Sequence, residues 1–488
     1  MANHNLKPKI LSMLIFSIAI SFLLLCFFVN SPVRAAKIDR YIFYNIDECF
    51  RYYYAKLSLH NPAVFLNPYA KPITMLLSNI FIKIFPFGIL SLRIMNAFFS
   101  VSIIFILRRI MKKIGIGDIA VIIAIVMTIS FPTYFLATCS TLSEIVFCFF
   151  LITALFMYIQ ERYVGYYILL SLLPLIRQEG LLFLIAGIIL SPKPVKIQRL
   201  FCFFPVVIWI LLNSLILKHP LDHIYLYLYR VSGGNPPPDA LLPLSKAKDF
   251  IFNIFIAPLL GLIFFLAGLK YIDRKYRIIL YFIMINIGVI IALNLYLIFA
   301  FKKIAYELRF IVLTIPLISI YASAFFQRLY YLLKARFKVS GYLIIGLIIF
   351  MIAGFNICYL RQIQNFPYIK SEFISPAQEK VFEKAENWLN EYLERERIDS
   401  VYSDSNKMTN KFVRRLITTL TPDVTYYGFD YKKITLVDVT TFKEIDLLKK
   451  KAVMFIVREE NYQPFISADW ELIKSFPELN LDFYLVTG

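Results

Sequence analysis

Along the first three quarters of the chain, apolar runs of about twenty residues alternate with short polar stretches, the spacing that bilayer-spanning helices require. The runs predict helices over 10–29, 91–107, 118–134 and 141–159, then a short pair over 164–176 and 179–191. Further helices are predicted over 200–217, 251–270, 278–300, 309–327 and 340–360, which makes about eleven. A long loop, 31–90, separates the first two and has its own amphipathic pattern. Phe50, Tyr53, Tyr54 and Leu57 recur at three- and four-residue steps between Asp47 and Leu59, and Ile73, Leu76, Leu77, Ile80 and Ile84 do so from Pro72 to Phe85. Both segments read as helices lying on the membrane, with Pro72 suited to a first helical turn. After Tyr359 the pattern changes. Ala377–Arg397 reads as a charged amphipathic helix, and short β-rich runs at 400–402, 424–427, 434–437, 453–457 and 483–486 alternate with helical ones, as in a small α/β domain. The expected architecture is therefore a polytopic α-helical membrane domain over 1–360, followed by an α/β domain over 361–488.

Composition agrees with this reading: 59% of residues are hydrophobic, and mean hydropathy is +0.68. The net charge of +20 suggests a nucleic-acid partner only until it is located. Residues 361–488 hold 18 Lys and Arg against 20 Asp and Glu, so the excess belongs entirely to the membrane part. There it clusters between apolar runs: Lys7 and Lys9; Arg108, Arg109, Lys112 and Lys113; Lys193, Lys196 and Arg199; Lys270, Arg274, Lys275 and Arg277; Arg328, Lys334, Arg336 and Lys338. These clusters mark cytoplasmic loops, with the N-terminus inside and the C-terminal domain extracytoplasmic, and no nucleic acid is needed to explain them. The first apolar run is longer than a signal-peptide core and is read as an uncleaved helix, although Val33-Arg34-Ala35 resembles a cleavage site. Asn-x-Ser/Thr sequons are absent from the sequence, and a prokaryotic cytoplasmic membrane is the expected location.

Charge and special residues identify the candidate chemistry. The six cysteines show no CxxC spacing and predict no disulfide framework; Cys49 with Cys139 is the one conceivable pair. His219 and His223 flank Asp222 at an i, i+4 spacing, but Pro220 and the loop setting make a poor metal site. The second outer loop, 218–250, carries Gly233-Gly234-Asn235-Pro236-Pro237-Pro238, which cannot be regular structure. Neither GxGxxG nor a P-loop occurs, so no nucleotide is assigned. Most carboxylates of the membrane part fall on the outer side. Adjacent Asp47 and Glu48 follow the first helix, and Glu144 opens the fourth span. Each has an ordinary role available as a helix-start acid. Two acidic sites converging from different helices also make a pocket in which a carboxylate acts as general base. Lys71, Arg177 and Arg309 lie at outer helix ends, where cations snorkel to headgroups or, together, clamp a phosphate. Glu179 adjoins Arg177, and Arg177-Gln178-Glu179-Gly180 interrupts about 27 residues that a single helix would carry through the membrane with both charges buried. Tyr53 and Tyr54 suit an interfacial aromatic belt or a sugar platform.

The order of these features resembles the GT-C superfamily of integral-membrane glycosyltransferases. The resemblance rests on Asp47-Glu48 after one helix, Lys71-Pro72 opening an amphipathic helix, Ser91-Leu92-Arg93-Ile94-Met95-Asn96 opening the second span, Ser143-Glu144, Arg177-Gln178-Glu179-Gly180, and Arg309-Phe310 ahead of Pro316. It covers roughly residues 1–360, is stronger for the superfamily than for any group within it, and within it points to the branch of the protein O-mannosyltransferases and the lipid A aminoarabinose transferase. The resemblance implies an inverting transfer of one sugar from a polyprenyl-phosphate donor to a hydroxyl of a glycan, lipid or protein acceptor at the outer face. By the same resemblance Asp47 is the base with Glu48 beside it, and Glu144 and Lys71 correspond to the family's acid before the fourth span and its Lys-Pro lysine; the reading of the residues adds Arg177, Glu179, Arg309, Tyr53 and Tyr54 as candidates for binding substrate. The lysine of Lys71-Pro72 follows Ala70, where some members carry Glu. Asp47-Glu48 is not the Asp-x-Asp of metal-dependent members, so no cofactor is expected. A lipid-linked glycan transporter would instead keep ionisable residues in mid-membrane breaks or repeated halves. A glycan polymerase or ligase would need arginines in the large outer loops, where Arg230 is the candidate.

Overall fold

The computed structural model describes residues 8–30, 71–190, 202–217, 265–273, 276–301, 312–337 and 376–397, several strands, and scattered positions between 42 and 65 and at 346 and 350. Statements below concern these residues. The chain divides into two compact units. The first comprises Met1–Val29, Phe65–Phe81 and Ser91–Gln364; the second comprises Asn30–Val64, Ile82–Leu90 and Asn365–Gly488.

The first unit is helical. Its elements are α1 (Pro8–Asn30), α2 (Pro72–Ile84), α3 (Leu90–Lys113), α4 (Asp118–Ser130), α5 (Pro132–Thr138), α6 (Ser143–Ile159), α7 (Tyr163–Ile176), α8 (Gly180–Ile189), α9 (Phe204–Leu217), α10 (Arg277–Phe301) and α11 (Ile315–Phe337). Among the described residues, α3 alone is a straight helix long and apolar enough to cross a membrane, and α4 with α5 makes a bent second candidate. In α3 the buried positions Leu92, Met95, Phe99, Ile103, Leu107 and Ile110 recur every three or four residues, while Phe98 faces outward at 55% exposure. Packing is aromatic where three helices meet. Phe147 of α6 lies edge-on to Phe183 of α8 at 5.4 Å, and Phe183 stacks on Phe282 of α10 at 5.7 Å.

Two boundaries differ from the sequence expectation. The span over 118–134 is broken by a 68° bend between α4 and α5. Phe131 precedes Pro132 and is pushed into an extended conformation (φ −66, ψ 119), which stops α4, while Pro132 starts α5 at its first turn. Helix α11 begins at Ile315 rather than near 309 and continues to Phe337, past the basic residues taken to end it. Its later turns keep an apolar partner, because Phe326 and Tyr330 are buried against Ile119 and Ile123 of α4. The run over 251–264 lies outside the described residues, as does most of 340–360. The short pair over 164–191 does form as two helices, α7 and α8.

The second unit contains a five-stranded sheet in the order β4-β3-β5-β7-β6, built from β3 (Ser400–Ser403), β4 (Thr425–Tyr426), β5 (Ala452–Val457), β6 (Trp470–Phe476) and β7 (Leu481–Val486). Strand β3 runs parallel to β4 and β5, and β7 runs antiparallel to both β5 and β6. Helix α12 (Pro376–Glu396) carries Trp388, whose ring stacks on Tyr392 and meets Phe483 and Phe476 edge-on at 5.1 and 6.0 Å. Strand β6 was not expected. A register shift between Leu472 and Lys474 interrupts the alternation by which strands are recognised. The expected run at 434–437 lies outside the described residues. A second, two-stranded pair joins Ile42–Phe43 (β1) antiparallel to Phe373–Ile374 (β2), tying the segment after α1 to the segment before α12.

Candidate functional site

Three helices in the first unit start close together, and each start contributes a charged side chain. Lys71 precedes Pro72 and gives its carbonyl to the amide of Met75 at 3.1 Å, so it is the residue from which α2 begins. Its φ of +47 lies in the left-handed region, uncommon for a lysine and costing about 1–3 kcal/mol unless its surroundings fix it. Ser143 and Glu144 form the first turn of α6. Arg177, extended at φ −152 and ψ 144, ends α7, and Glu179 precedes α8.

These residues meet. Arg177 Nη1 lies 2.6 Å from Glu144 Oε1. Its other two nitrogens grip Glu179 in a bidentate pair, Nη2 to Oε1 at 2.9 Å and Nε to Oε2 at 3.2 Å. The Ser143 hydroxyl oxygen accepts from Lys71 Nζ at 3.2 Å and from Arg177 Nη1 at 3.4 Å. Glu144 is wholly buried, and Arg177 and Glu179 are 4% and 8% exposed. The fourth member, Lys71, is half-buried. Burial of two carboxylates costs several kcal/mol each unless cations and hydrogen bonds compensate, so the guanidinium and the two carboxylates hold one another in place. Burial alone would raise the carboxyl of Glu179, which lies in the turn outside both helices. Arg177, and Lys71 behind it, bring it below its ordinary value instead. The positive ends of α2, α6 and α8 add to the two cations, and the carboxylates of Glu144 and Glu179 offset them.

The backbone around the cluster is constrained on both sides. A Cβ on Gly180 would stand 2.3 Å from the carbonyl carbon of Leu173 and 2.5 Å from the nitrogen of Pro174, so only glycine lets α8 start against the end of α7. The two helices then run back along each other, and Tyr166 donates to the Gly187 carbonyl at 3.1 Å. On the other side, the Asn96 amide of α3 donates to the carbonyls of Ser140 and Leu142 at 2.7 and 2.8 Å. That fixes the link leading into Ser143 and Glu144.

Of the residues selected from sequence, Lys71, Glu144, Arg177 and Glu179 are brought together. Glu144 is an acid of the first turn of α6, as its sequence position suggested, and also pairs with Arg177, which is buried rather than snorkelling. The break between α7 and α8 places Arg177 and Glu179 in a turn, where both are buried among protein side chains and Arg177 pairs with Glu144 and Glu179. Tyr54 is helical and half-buried in the second unit. Asp47, Glu48, Tyr53, Arg309, Arg230, His219 and His223 lie outside the described residues, as does Cys49. Cys139 is a buried thiol hydrogen-bonded with Cys26. Among the described residues no three His, Cys, Asp or Glu side chains converge. Sequence reasoning did not single out Asn96 or the close approach at Gly180 for what they do. Both stood inside the quoted motifs, but long-range contacts define their roles.

By sequence the chain matches no protein-family model and no curated protein. By structure it is similar to ArnT from Cupriavidus metallidurans, a GT-C family aminoarabinose transferase. The crystal structure of that protein bound to undecaprenyl phosphate superposes with a TM-score of 0.61 at 11% identity, covering 98% of each chain. Its apo crystal structure gives a TM-score of 0.59 at 10% identity, covering 97% of each. At such identity the likeness concerns the fold, and it extends over both units of the chain. The chain therefore has the GT-C fold, that of a polytopic helical membrane protein.

Proposed function

We propose that this protein is a glycosyltransferase that moves one sugar from a polyprenyl-phosphate donor to an acceptor hydroxyl at the outer membrane face. The observation that carries this reading is the charged group of Lys71, Ser143, Glu144, Arg177 and Glu179 at converging helix starts, in a GT-C fold whose neighbour was crystallised with undecaprenyl phosphate. A lipid-phosphate donor suits the architecture: the isoprenoid tail stays among the apolar helices while phosphate and sugar sit at their ends. In this reading Asp47 takes the proton of the acceptor hydroxyl, whose oxygen attacks the anomeric carbon with inversion. The bond from that carbon to the phosphate oxygen breaks, and polyprenyl phosphate leaves with the electron pair. One base and a good leaving group suffice, without the acid and nucleophile pair of glycosidases.

The cations are given different roles in this reading. All three nitrogens of Arg177 contact Glu144, Glu179 or Ser143, so its work is to keep both carboxylates ionised and in place. Lys71, less buried, is assigned with Arg309 to the phosphate, whose charge grows as the bond breaks. Glu48 and Glu144 are assigned to assist Asp47, and Tyr53 and Tyr54 to bind the sugar. No metal enters the scheme. The test is incorporation of radiolabel from synthetic polyprenyl-phosphate sugars into cell-envelope extract, comparing wild type with Asp47→Asn and Lys71→Met at matched, monodisperse expression. Incorporation by wild type that Asp47→Asn loses supports the reading, and the labelled product names the acceptor. Absence of incorporation with every donor, alongside passage of lipid-linked sugars across proteoliposome membranes, would replace it with transport.

A further inference from the structure

At the end of α6 opposite Glu144 lies a second concave site that the transfer reaction does not use. It has a volume of about 770 Å³ and is lined by Phe105, Arg108, Arg109, Lys112 and Lys113 of α3, by Phe156 of α6, and by Gln160 and Arg162 beyond it. Helix α6 has 17 residues, so about 25 Å of helix separates this pocket from the Glu144 cluster. Five cations converge here from two chain segments. Lys112 is paired with the buried Asp118, and Arg108 donates to Ser12 at 2.8 Å. Arg109, Lys113 and Arg162 are exposed and make no ion pair among the described residues. Cations near the last turn of a helix are ordinary, because the dipole favours them there. A cavity whose aromatic floor, Phe105 and Phe156, lies beneath several unneutralised cations is less ordinary. Water and salt screen the repulsion of such close like charges only in part, so an anion entering the pocket relieves what remains, and the floor offers carbon contact to whatever carries that anion.

We propose that this pocket is a binding site for a phosphate-bearing ligand, its cationic rim taking the phosphate and Phe105 and Phe156 contacting the apolar part. An anionic phospholipid at the end of the membrane-crossing α3 supplies both components, and so does a soluble phosphate ester. The test titrates fluorescent phosphatidylglycerol, and separately fluorescent phosphatidylcholine, into the full chain in detergent. Wild type is compared with the triple variant Arg109→Gln, Lys113→Gln, Arg162→Gln, which leaves Arg108 and Lys112 to their structural partners. A control removes equal charge at Lys83, Lys380 and Lys474, none of which lines the pocket.

Each cation should contribute about fivefold, so the triple variant should bind phosphatidylglycerol on the order of 100-fold more weakly while the control binds as wild type does. Wild-type binding should also weaken with rising salt. Displacement of the probe by micromolar pyrophosphate, lost in the same triple variant, would support the site with a soluble ligand. Equal binding by wild type and triple variant, equal weakening by the control, or no preference for phosphatidylglycerol over phosphatidylcholine with no pyrophosphate effect would overturn it.

Discussion

At its first turn α6 carries Glu144, wholly buried and 2.6 Å from Arg177; at its far end it borders five cations of which Asp118 pairs one. Both ends are densely charged, yet only the buried end is closely balanced. In the interior a charge without a partner costs several kcal/mol, so the guanidinium of Arg177 is set against both Glu144 and Glu179. At the exposed end water screens the cations, and they accumulate without partners. The contrast makes substitutions at the two ends diagnostic. At the Glu144 end a lost charge should unsettle the fold, and at the Gln160 end it should unsettle only what binds there.

The largest expected effect is at Arg177. Arg177→Met leaves Glu144 and Glu179 buried without their cation and should cost about 3–5 kcal/mol, read as a lower melting temperature in detergent, with transferase activity lost. The pH dependence should change sign as well. In wild type the Glu179 carboxyl is held below its ordinary value, so its contribution is full above that ordinary value and is lost as pH falls through the lowered one. Without Arg177, burial raises the same carboxyl, and the variant should gain stability on going from about pH 8 toward about pH 5 while wild type does not. A melting temperature unchanged in Arg177→Met would break the comparison at its root.

Next is Gly180→Ala. The added methyl must push α8 off the carbonyl of Leu173, and overpacking of this kind should cost up to about 3 kcal/mol. Because the displaced turn holds both Arg177 and Glu179, activity should fall further than stability predicts. An Ala control at Gly115, where a Cβ meets nothing within 4 Å but φ is +81, carries backbone strain without displacing the cluster and separates the two causes.

How much of this corner was legible follows from the range of each interaction. Helix starts at Pro72, Ser143 and Gly180 were readable because each has a local mark: a proline at the first turn, a serine and acid ahead of an apolar run, and a charged break followed by glycine. The partner of Arg177 was not readable in the same way. Glu144 lies 33 positions earlier, and no local rule joins them. Where only local pattern was used, it failed in both directions. An unbroken apolar run hid the bend at Phe131–Pro132, and a bulge beside Lys474 hid β6. The basic cluster of Arg108 to Lys113 was legible as charge, but that it meets Arg162 around a cavity depends on α3 and α6 ending side by side.

A smaller effect sharpens the same contrast from the neutral side. Asn96 donates to two buried carbonyls on the link into α6. Asn96→Leu keeps the volume but removes the donor, and should cost about 2 kcal/mol. Because the link positions Ser143 and Glu144 without touching substrate, the kinetic signature should be a lower kcat with KM little changed. An increase in KM alone would place Asn96 in substrate binding instead.

The smallest effect is expected at the exposed end and completes the comparison. Arg109 is exposed, borders the pocket and makes no ion pair among the described residues, so Arg109→Gln removes only repulsion from its cationic neighbours. Stability in detergent without added anionic lipid should change by no more than about 0.5 kcal/mol, and upward if at all. Adding salt should shrink even that gain, because screening already weakens the repulsion in wild type. A loss exceeding about 1 kcal/mol that persists in high salt would mean that the Gln160 end is balanced by partners as specific as those of Glu144. The two ends of α6 would then differ in exposure but not in the way they hold charge.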